Sequence, residues 1–220
     1  MRSDVGVTTT GATPTGALAA DLPALRRRLR AQRRAVGPGE RRVAGRALAR
    51  QLARVRYLRG ARRIAGYWPA DGEIDIRPAL ERALAAGSQV YLPRLVQTPR
   101  PRLCFAPWRP GARMEPNRYG IAEPVVPAGA VLTARQLDVI VLPLVGFDAA
   151  GNRLGMGGGW YDRSLAFRRR SRSAAASRPR LLGVAYELQR LDRLAPRAWD
   201  VPVDLIVTDQ RVYAPVPPEP

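Results

Sequence analysis

At 220 residues, 46% of them hydrophobic, the chain is long enough for one folded domain with a sizeable core. It carries a formal charge of +19 from 37 basic residues, all of them arginine, and it has no histidine, no lysine and a single cysteine. Those absences exclude an imidazole base, a serine–histidine pair, a histidine- or thiolate-ligated zinc, a Schiff base, a Walker-type phosphate lysine and an internal disulfide. Uniform use of arginine beside abundant alanine reads as compositional bias before it reads as a polyanion surface. Chemistry is left to carboxylates, arginines, backbone N–H groups and, where one is bound, a hard cation.

Residues 1–20 are small and polar, lack the apolar run of a signal peptide, and are expected to be a disordered extension. In DLPALRRRLRAQRRAV, Asp21 is placed to cap a helix with Pro23 in its first turn. Leu22, Leu25, Leu29 and Val36 form its apolar stripe, which leaves the arginines to the other faces. A second helix is expected from Glu40 to Leu58, with Val43, Ala47, Leu48, Leu52 and Val55 inward. RRIAGYW then reads as a strand, and IDIRPALERALAAG as a helix capped by Asp75 and closed by Gly87, with Leu80 and Leu84 facing inward. SQVYLPRL and RLCFAPW are the next strands, the latter holding Cys104 as a buried thiol. LDVIVLPLVGF is a continuous apolar run of the kind buried on both faces of a parallel sheet. A helix from Tyr161 and the strands LLGVAYE and DLIVTD follow.

This alternation predicts an α/β fold: a three-layer, Rossmann-like sandwich with a largely parallel central sheet flanked by helices. The expected organisation is a single domain over residues 21–212, with a flexible surface insertion at 168–180 (RRRSRSAAASRPR) and a proline-rich tail at 213–220. No stretch approaches the roughly 20 apolar residues of a membrane span.

The stretch GNRLGMGGGWYDRSL, residues 151–165, places five glycines in nine residues ahead of two aromatics and Asp162. Glycine admits positive φ and close approach of the main chain to a ligand, at an entropic cost. Between the central strand and a helix, the loop lies at the carboxyl end of the sheet, where open α/β folds bind ligands. Its backbone N–H groups can cradle phosphate without a lysine. A flexible connector, with Asp162 merely complementing a helix dipole, is the alternative from local sequence alone. The spacing Gly155, Gly157, Gly159 is not the dinucleotide fingerprint.

PLVGFDAAGNRLGMGGGWYDRSL resembles the signature of 5-formyltetrahydrofolate cyclo-ligases, also called 5,10-methenyltetrahydrofolate synthetases. YWPADGEIDIRPAL, VYLPRL, NRYGIAEP, GVAYELQ and RAWDVPVD agree in order and spacing, so that the likeness covers residues 21–210. The resemblance implies ATP- and Mg²⁺-dependent closure of 5-formyltetrahydrofolate to 5,10-methenyltetrahydrofolate, with ADP and phosphate released. It also implies a cytoplasmic, monomeric enzyme.

By matching position, the resemblance assigns ATP to Arg26 and to the loop Arg153, Leu154, Gly155, Met156, Gly157, Gly158, Gly159, Trp160 and Tyr161. Arg153 and Gly157 to Gly159 are its catalytic centre. Trp68, Glu73, Tyr119, Met156 and Trp160 fall to the folate, and Asp162 and Asp200 to the metal. Met156 and Gly158 stand where many members carry a basic side chain, and Leu22 stands where the family has a lysine four residues before the Arg26 position. Outside the resemblance, Glu73 reads first as a helix-approach acid beside Asp75, Trp68 as a strand-end core residue and Asp200 as a loop acid before Pro202, while core packing explains Tyr119 equally well. Two other functions fit parts of the chain. A nucleic-acid-binding protein is suggested by RRRLRAQRR and RRRSRS, although neither has the aromatic interleaving of a single-strand surface. A sugar-phosphate isomerase-like enzyme on a related scaffold is the other, and would need no ATP.

Overall fold

The computed structural model describes residues 21–96, 99, 101–170 and 178–215. The expected N-terminal extension, the middle of the 168–180 insertion and the end of the tail lie outside the described residues. The first helix, α1 (Leu22–Ala35), starts as its sequence dictates: the Asp21 side chain accepts from the Ala24 N–H at 2.8 Å, and proline occupies the first turn. In α2 (Pro38–Arg54), Glu40 reaches back to accept from the Gly37 N–H at 2.9 Å.

Two details of these helices correct the apolar pattern. Val43 is 57% exposed rather than inward, because the buried stripe of α2 runs through Ala44, Leu48 and Leu52. Arg33, expected on an outer face, is only 1% exposed. It continues the buried row of Leu25 and Leu29 at helical spacing. The second helix also ends before Leu58, and Arg56–Leu58 is a separate 3₁₀ turn.

The strands are β1 (Arg63–Ala65), β2 (Gln89–Val96), β3 (Arg102–Pro107), β4 (Met114–Pro116), β5 (Ala122–Pro124), β6 (Val139–Pro143), β7 (Gly146–Phe147), β8 (Arg153–Leu154), β9 (Arg180–Ala185), β10 (Leu205–Thr208) and β11 (Val212–Tyr213). Seven form one sheet in the order β11-β10-β9-β6-β1-β2-β3. The five inner strands are parallel, and β3 and β11 add antiparallel margins. β11 therefore includes Tyr213, one residue beyond the expected end of the domain. At the β3 margin, Phe105 and Leu132 exchange backbone hydrogen bonds at 2.8 Å.

Ranked along the chain, the parallel strands lie in the order 2-1-3-4-5, so the direction of winding reverses between β1 and β6. Ligand clefts of doubly wound sheets open at that reversal, beyond the carboxyl ends of the strands. The helices α3 (Arg77–Ala85) and α4 (Trp160–Leu165) complete the layers. One core cluster packs Leu48, Leu52 and Leu80 against Ile64 and Val141, and a second packs Leu137, Ile140 and Phe147 with Leu165 and Ile206. Ile76, not Asp75, is the cap of α3, and the Asp75 side chain accepts from the N–H of Arg77, two residues on, at 3.0 Å. Gly87 does close this helix, at φ +87°. Cys104 is buried, as expected, and burial raises its thiol above the ordinary value.

The apolar run 137–147 breaks at Pro143. Its second half turns into the β7–β8 hairpin that delivers the glycine loop. Asp148 shapes this hairpin, accepting from the N–H groups of Ala150, Asn152 and Leu194 at 2.8–3.0 Å. Gln189 ties the same region to β9: its amide donates to the carbonyls of Leu144 and Val145 at 2.8 and 2.9 Å. The described ends of the 168–180 insertion are anchored, since Arg168 donates twice to Asp204 at 2.9 and 3.0 Å and Arg180 opens β9. Among the described residues no helix is long and apolar enough to cross a membrane.

Candidate active site

Beyond the end of β1 the chain runs Gly66, Tyr67, Trp68 and turns sharply at Asp71 and Gly72, both at positive φ (+49° and +76°). A left-handed aspartate is strained unless its surroundings hold it. Here three arginines of α1 do so: Arg30, Arg33 and Arg34 donate to the Asp71 carboxylate at 2.7, 2.7 and 3.0 Å. Arg33 also donates through Nε to the Asp71 carbonyl at 3.0 Å. These donors hold the Asp71 carboxyl down at about 2 against the burial that would raise it. The basic run RRRLRAQRR is therefore partly turned inward, and partnered.

Glu73 closes this turn. One of its oxygens accepts from the Ala70 N–H at 3.1 Å, and the other lies 3.7 Å from Arg33 Nη1, which makes no hydrogen bond in its buried position. Burial is the larger influence on Glu73 and pushes its carboxyl up to about 7, despite the opposing pull of Arg33. Trp68 packs edge-on to Trp108, ring centroids 6.2 Å apart, with the Arg77 guanidinium 5.2 Å from its ring.

Across the cleft, the glycine loop leaves β8. The Leu154 side chain is buried with Leu25, Leu29 and Leu194, in the core and away from solvent. Met156 and the glycines Gly155, Gly157 and Gly158 are exposed. Gly157 and Gly159 hold φ of +96° and +64°, which explains why glycine stands at both. Arg26 reaches the loop from α1, donating through Nε to the Gly155 carbonyl at 2.8 Å. Leu22, in the lysine position, packs on the neighbouring apolar cluster.

Arg153 is the charged centre of this side. Its side chain is 5% exposed and ion-paired with Asp162, and its Nη1 makes no hydrogen bond. Burial lowers its pKa, opposed by the charges of Asp162 and Asp200, so both acids lie within its field. Asp200 acts on Arg26 as well, beside Arg197. Both carboxylates are already engaged, Asp162 with Arg153 and Asp200 with the Arg197 N–H at 2.9 Å, and two acids are within the one or two that Mg²⁺ usually takes. Among the described residues no group of three or more acidic or thiol side chains forms a closed cage.

Tyr161 joins the two sides. Burial raises its phenol first, then the Glu73 carboxylate, while Arg153 lowers it. Tyr119 and Trp160 also meet: the indole N–H and Arg118 both donate to the Tyr119 hydroxyl, which holds that phenol below its ordinary value. The guanidinium groups of Arg118 and Arg163 lie 5.5 and 5.2 Å from the Trp160 ring. A separate cavity of about 370 Å³, lined by Leu52, Ile64 and Ser88, lies at the amino end of β1 and contains none of these residues.

The pattern of expected residues is thus brought together as Trp68 and Glu73 on one wall, and Arg26, the 153–162 loop, Tyr119 and Asp200 on the other. Arg33 and Asp71 were missed. The row Leu25–Leu29–Arg33 signals the arginine, since a polar residue on an apolar stripe needs a buried partner. Arg197 was missed as well, and nothing local distinguishes it from 36 other arginines.

The architecture defines a class: a doubly wound α/β protein with a glycine loop held by arginines and, beyond β1, a half-buried carboxylate beside a buried arginine. Residues 19–209 match the profile of the 5-formyltetrahydrofolate cyclo-ligase family, so the chain belongs to that family and is an enzyme, a ligase. It is 34% identical to the 5-formyltetrahydrofolate cyclo-ligase of Escherichia coli (strain K12) over 185 residues, 84% of this chain and 98% of that one. The Haemophilus influenzae cyclo-ligase is 38% identical over 150 residues, 68% of this chain and 77% of that protein. The NMR structure of Aquifex aeolicus 5,10-methenyltetrahydrofolate synthetase superposes with a TM-score of 0.72 at 29% identity, covering 88% of this chain and 92% of that one.

Proposed function

We propose that this enzyme closes 5-formyltetrahydrofolate to 5,10-methenyltetrahydrofolate at the expense of ATP. The observation that supports the reading is the match of residues 19–209 to the cyclo-ligase family, with Tyr161 placed near both Glu73 and Arg153. A folate ring read by Glu73 and a phosphate chain lying on the glycine loop then meet between them.

The N5 formyl group is amide-like, and its oxygen is a poor leaving group. That oxygen attacks the γ-phosphorus of ATP and ADP departs. N10 of the same folate adds to the activated carbon, the C–O bond breaks with release of phosphate, and N10 gives up its proton. The nucleophile belongs to the substrate, so a chain without histidine or lysine lacks nothing that the reaction needs. Phosphoryl transfer depends mainly on position and charge neutralisation.

Each residue then has a defined task. Ionised Glu73 accepts hydrogen bonds from the amino and ring N–H groups of the pterin, and Trp68 and Tyr119 offer aromatic surface. The backbone of Gly155 to Gly159 approaches the phosphates, with Arg26 fixing the loop through the Gly155 carbonyl. Arg153 supplies positive charge beside the loop for the transferring phosphoryl group. Asp162 and Asp200 are the residues that would hold Mg²⁺, which would supply charge neutralisation there.

The test is absorbance of the methenyl product formed from 5-formyltetrahydrofolate, with and without ATP and Mg²⁺. Product that forms only with both is the expected result. Folded protein yielding no ATP-dependent product overturns the reading, and nucleotide-independent turnover of a sugar phosphate would replace it with an isomerase.

A further inference from the structure

The three-cornered arrangement of Arg33, Asp71 and Glu73 has more parts than folate recognition needs. Arg33 is buried almost completely, yet its charge is shared unequally. Nη2 and Nε are closed on Asp71 at 2.7 and 3.0 Å, whereas Nη1 stops 3.7 Å from Glu73 Oε1 and makes no hydrogen bond. A buried guanidinium donor without an acceptor is costly, so its place beside a second carboxylate calls for an explanation. Asp71 holds the strained φ of +49°, and its side chain remains in the arginine cluster.

We infer that Arg33 is a positioning residue divided between two acids: it makes charge tolerable on Glu73, and Asp71, by holding most of that arginine, limits how far it does so. The inference rests on the reading of Glu73 as the folate carboxylate. It differs from ordinary scaffolding because it gives the two partners of one ion pair opposite effects on a third group.

The groups around Glu73 permit this. Arg30 and Arg33 face it from α1, Asp71 from its own turn, Tyr67 from beyond β1 and Tyr161 from α4. Burial keeps both phenols neutral near pH 7. Charge on Glu73 is therefore governed by the arginines and Asp71. With Arg33 gone, nothing of opposite charge remains at its distance and the carboxyl should stay protonated to higher pH. With Asp71 neutral, its hold on Arg33 weakens from a charge-assisted to an ordinary hydrogen bond and a like charge disappears, and Glu73 should ionise at lower pH.

The experiment is a ¹³C NMR titration of substrate-free protein labelled at the glutamate carboxyl carbons, with the Glu73 line assigned from Glu73→Gln. Asp71→Asn is expected to lower the Glu73 midpoint by about one unit, and Arg33→Met to raise it by at least as much. Arg33→Lys, which keeps the charge, should restore part of the shift. Midpoints that move in the same direction in both variants, or not at all, overturn the proposal. If Arg33→Met fails to fold, the sign of the Asp71→Asn shift decides alone. Calorimetry with 5-formyltetrahydrofolate across the same pH range tests the underlying reading separately. Opposite NMR shifts with unchanged folate affinity would leave the coupling standing and remove Glu73 from the folate site.

Discussion

The two walls of the cleft hold the same device in opposite settings. On the β1 side, Arg33 is buried beside two acids, and the half-buried turn it supports is cross-braced by Asp71. On the β8 side, Arg153 is also buried and also has an unmatched Nη1, yet the glycine backbone it serves is open to solvent. The difference follows the ligands proposed for each side. A flat heterocycle with a fixed edge of N–H groups is recognised by a prebuilt acceptor, whereas a phosphate chain needs exposed donors and room for a hydrated cation.

The most severe test of that contrast is Gly158→Val. Gly158 has no left-handed φ to protect, but an added Cβ would come within 2.9 Å of the Trp160 ring. A branched side chain there should abolish ATP binding by calorimetry and change thermal stability by only about 1 kcal/mol, the loop being exposed. Global unfolding would make the loop a packing element like the other wall, and normal ATP binding would count against the cradle.

Next in size is Arg153→Met. Loss of a buried donor to a developing phosphoryl charge should lower kcat on the order of 10²–10³-fold, with a smaller effect on the KM for folate. A change confined to folate KM would mean that the two arginines do not serve separate halves.

Glu73→Gln should weaken folate binding by about ten- to a hundredfold, from loss of a charge-assisted hydrogen bond, with ATP binding unchanged. The same variant sharpens the contrast through stability. Glu73 moves from an ordinary 4.5 to about 7 on folding, so it favours the folded state only while protonated. Its contribution is complete below pH 4.5 and lost as pH rises through about 7. Between pH 5 and pH 8, substrate-free wild type should therefore lose on the order of 2 kcal/mol more than Glu73→Gln in denaturant titrations. Parallel stability profiles would show that the wall is wetter than its burial implies.

The smallest effect is expected at the acids of the open side. Asp162→Asn should raise the Mg²⁺ concentration for half-maximal turnover and lower the saturating rate, because it also releases Arg153 from its ion pair. Asp200→Asn should shift the metal curve in the same direction, by less. Should both curves superimpose on wild type, with only about 0.3–1 kcal/mol of stability lost, Asp162 is a helix-end charge and nothing more.

The open wall was the more legible of the two in the sequence. Five glycines beside an acid state their purpose locally, and the apolar run before them places the loop at the end of a strand. Leu154 shows the limit of that legibility, since a position carried over to the nucleotide proves to hold a core side chain. The closed wall depends on contacts between residues 30–34 and 71–73 that only the fold creates. Arginine is so common here that one buried copy is invisible by composition. The exposed Val43 has a similar cause: helical periodicity gives the angle between positions, whereas the neighbouring sheet decides which angle is inside.

The margins of the sheet bear on how these molecules meet one another. Strand addition needs a run of unpaired backbone at an edge. Leu132 already occupies Phe105 in the middle of β3, and β11 offers two residues. Among the described residues, neither margin presents a long straight ladder on which a second copy could zip. Those blunted edges leave strand addition little backbone to pair with, and the arginine-rich composition opposes close approach of two copies by charge.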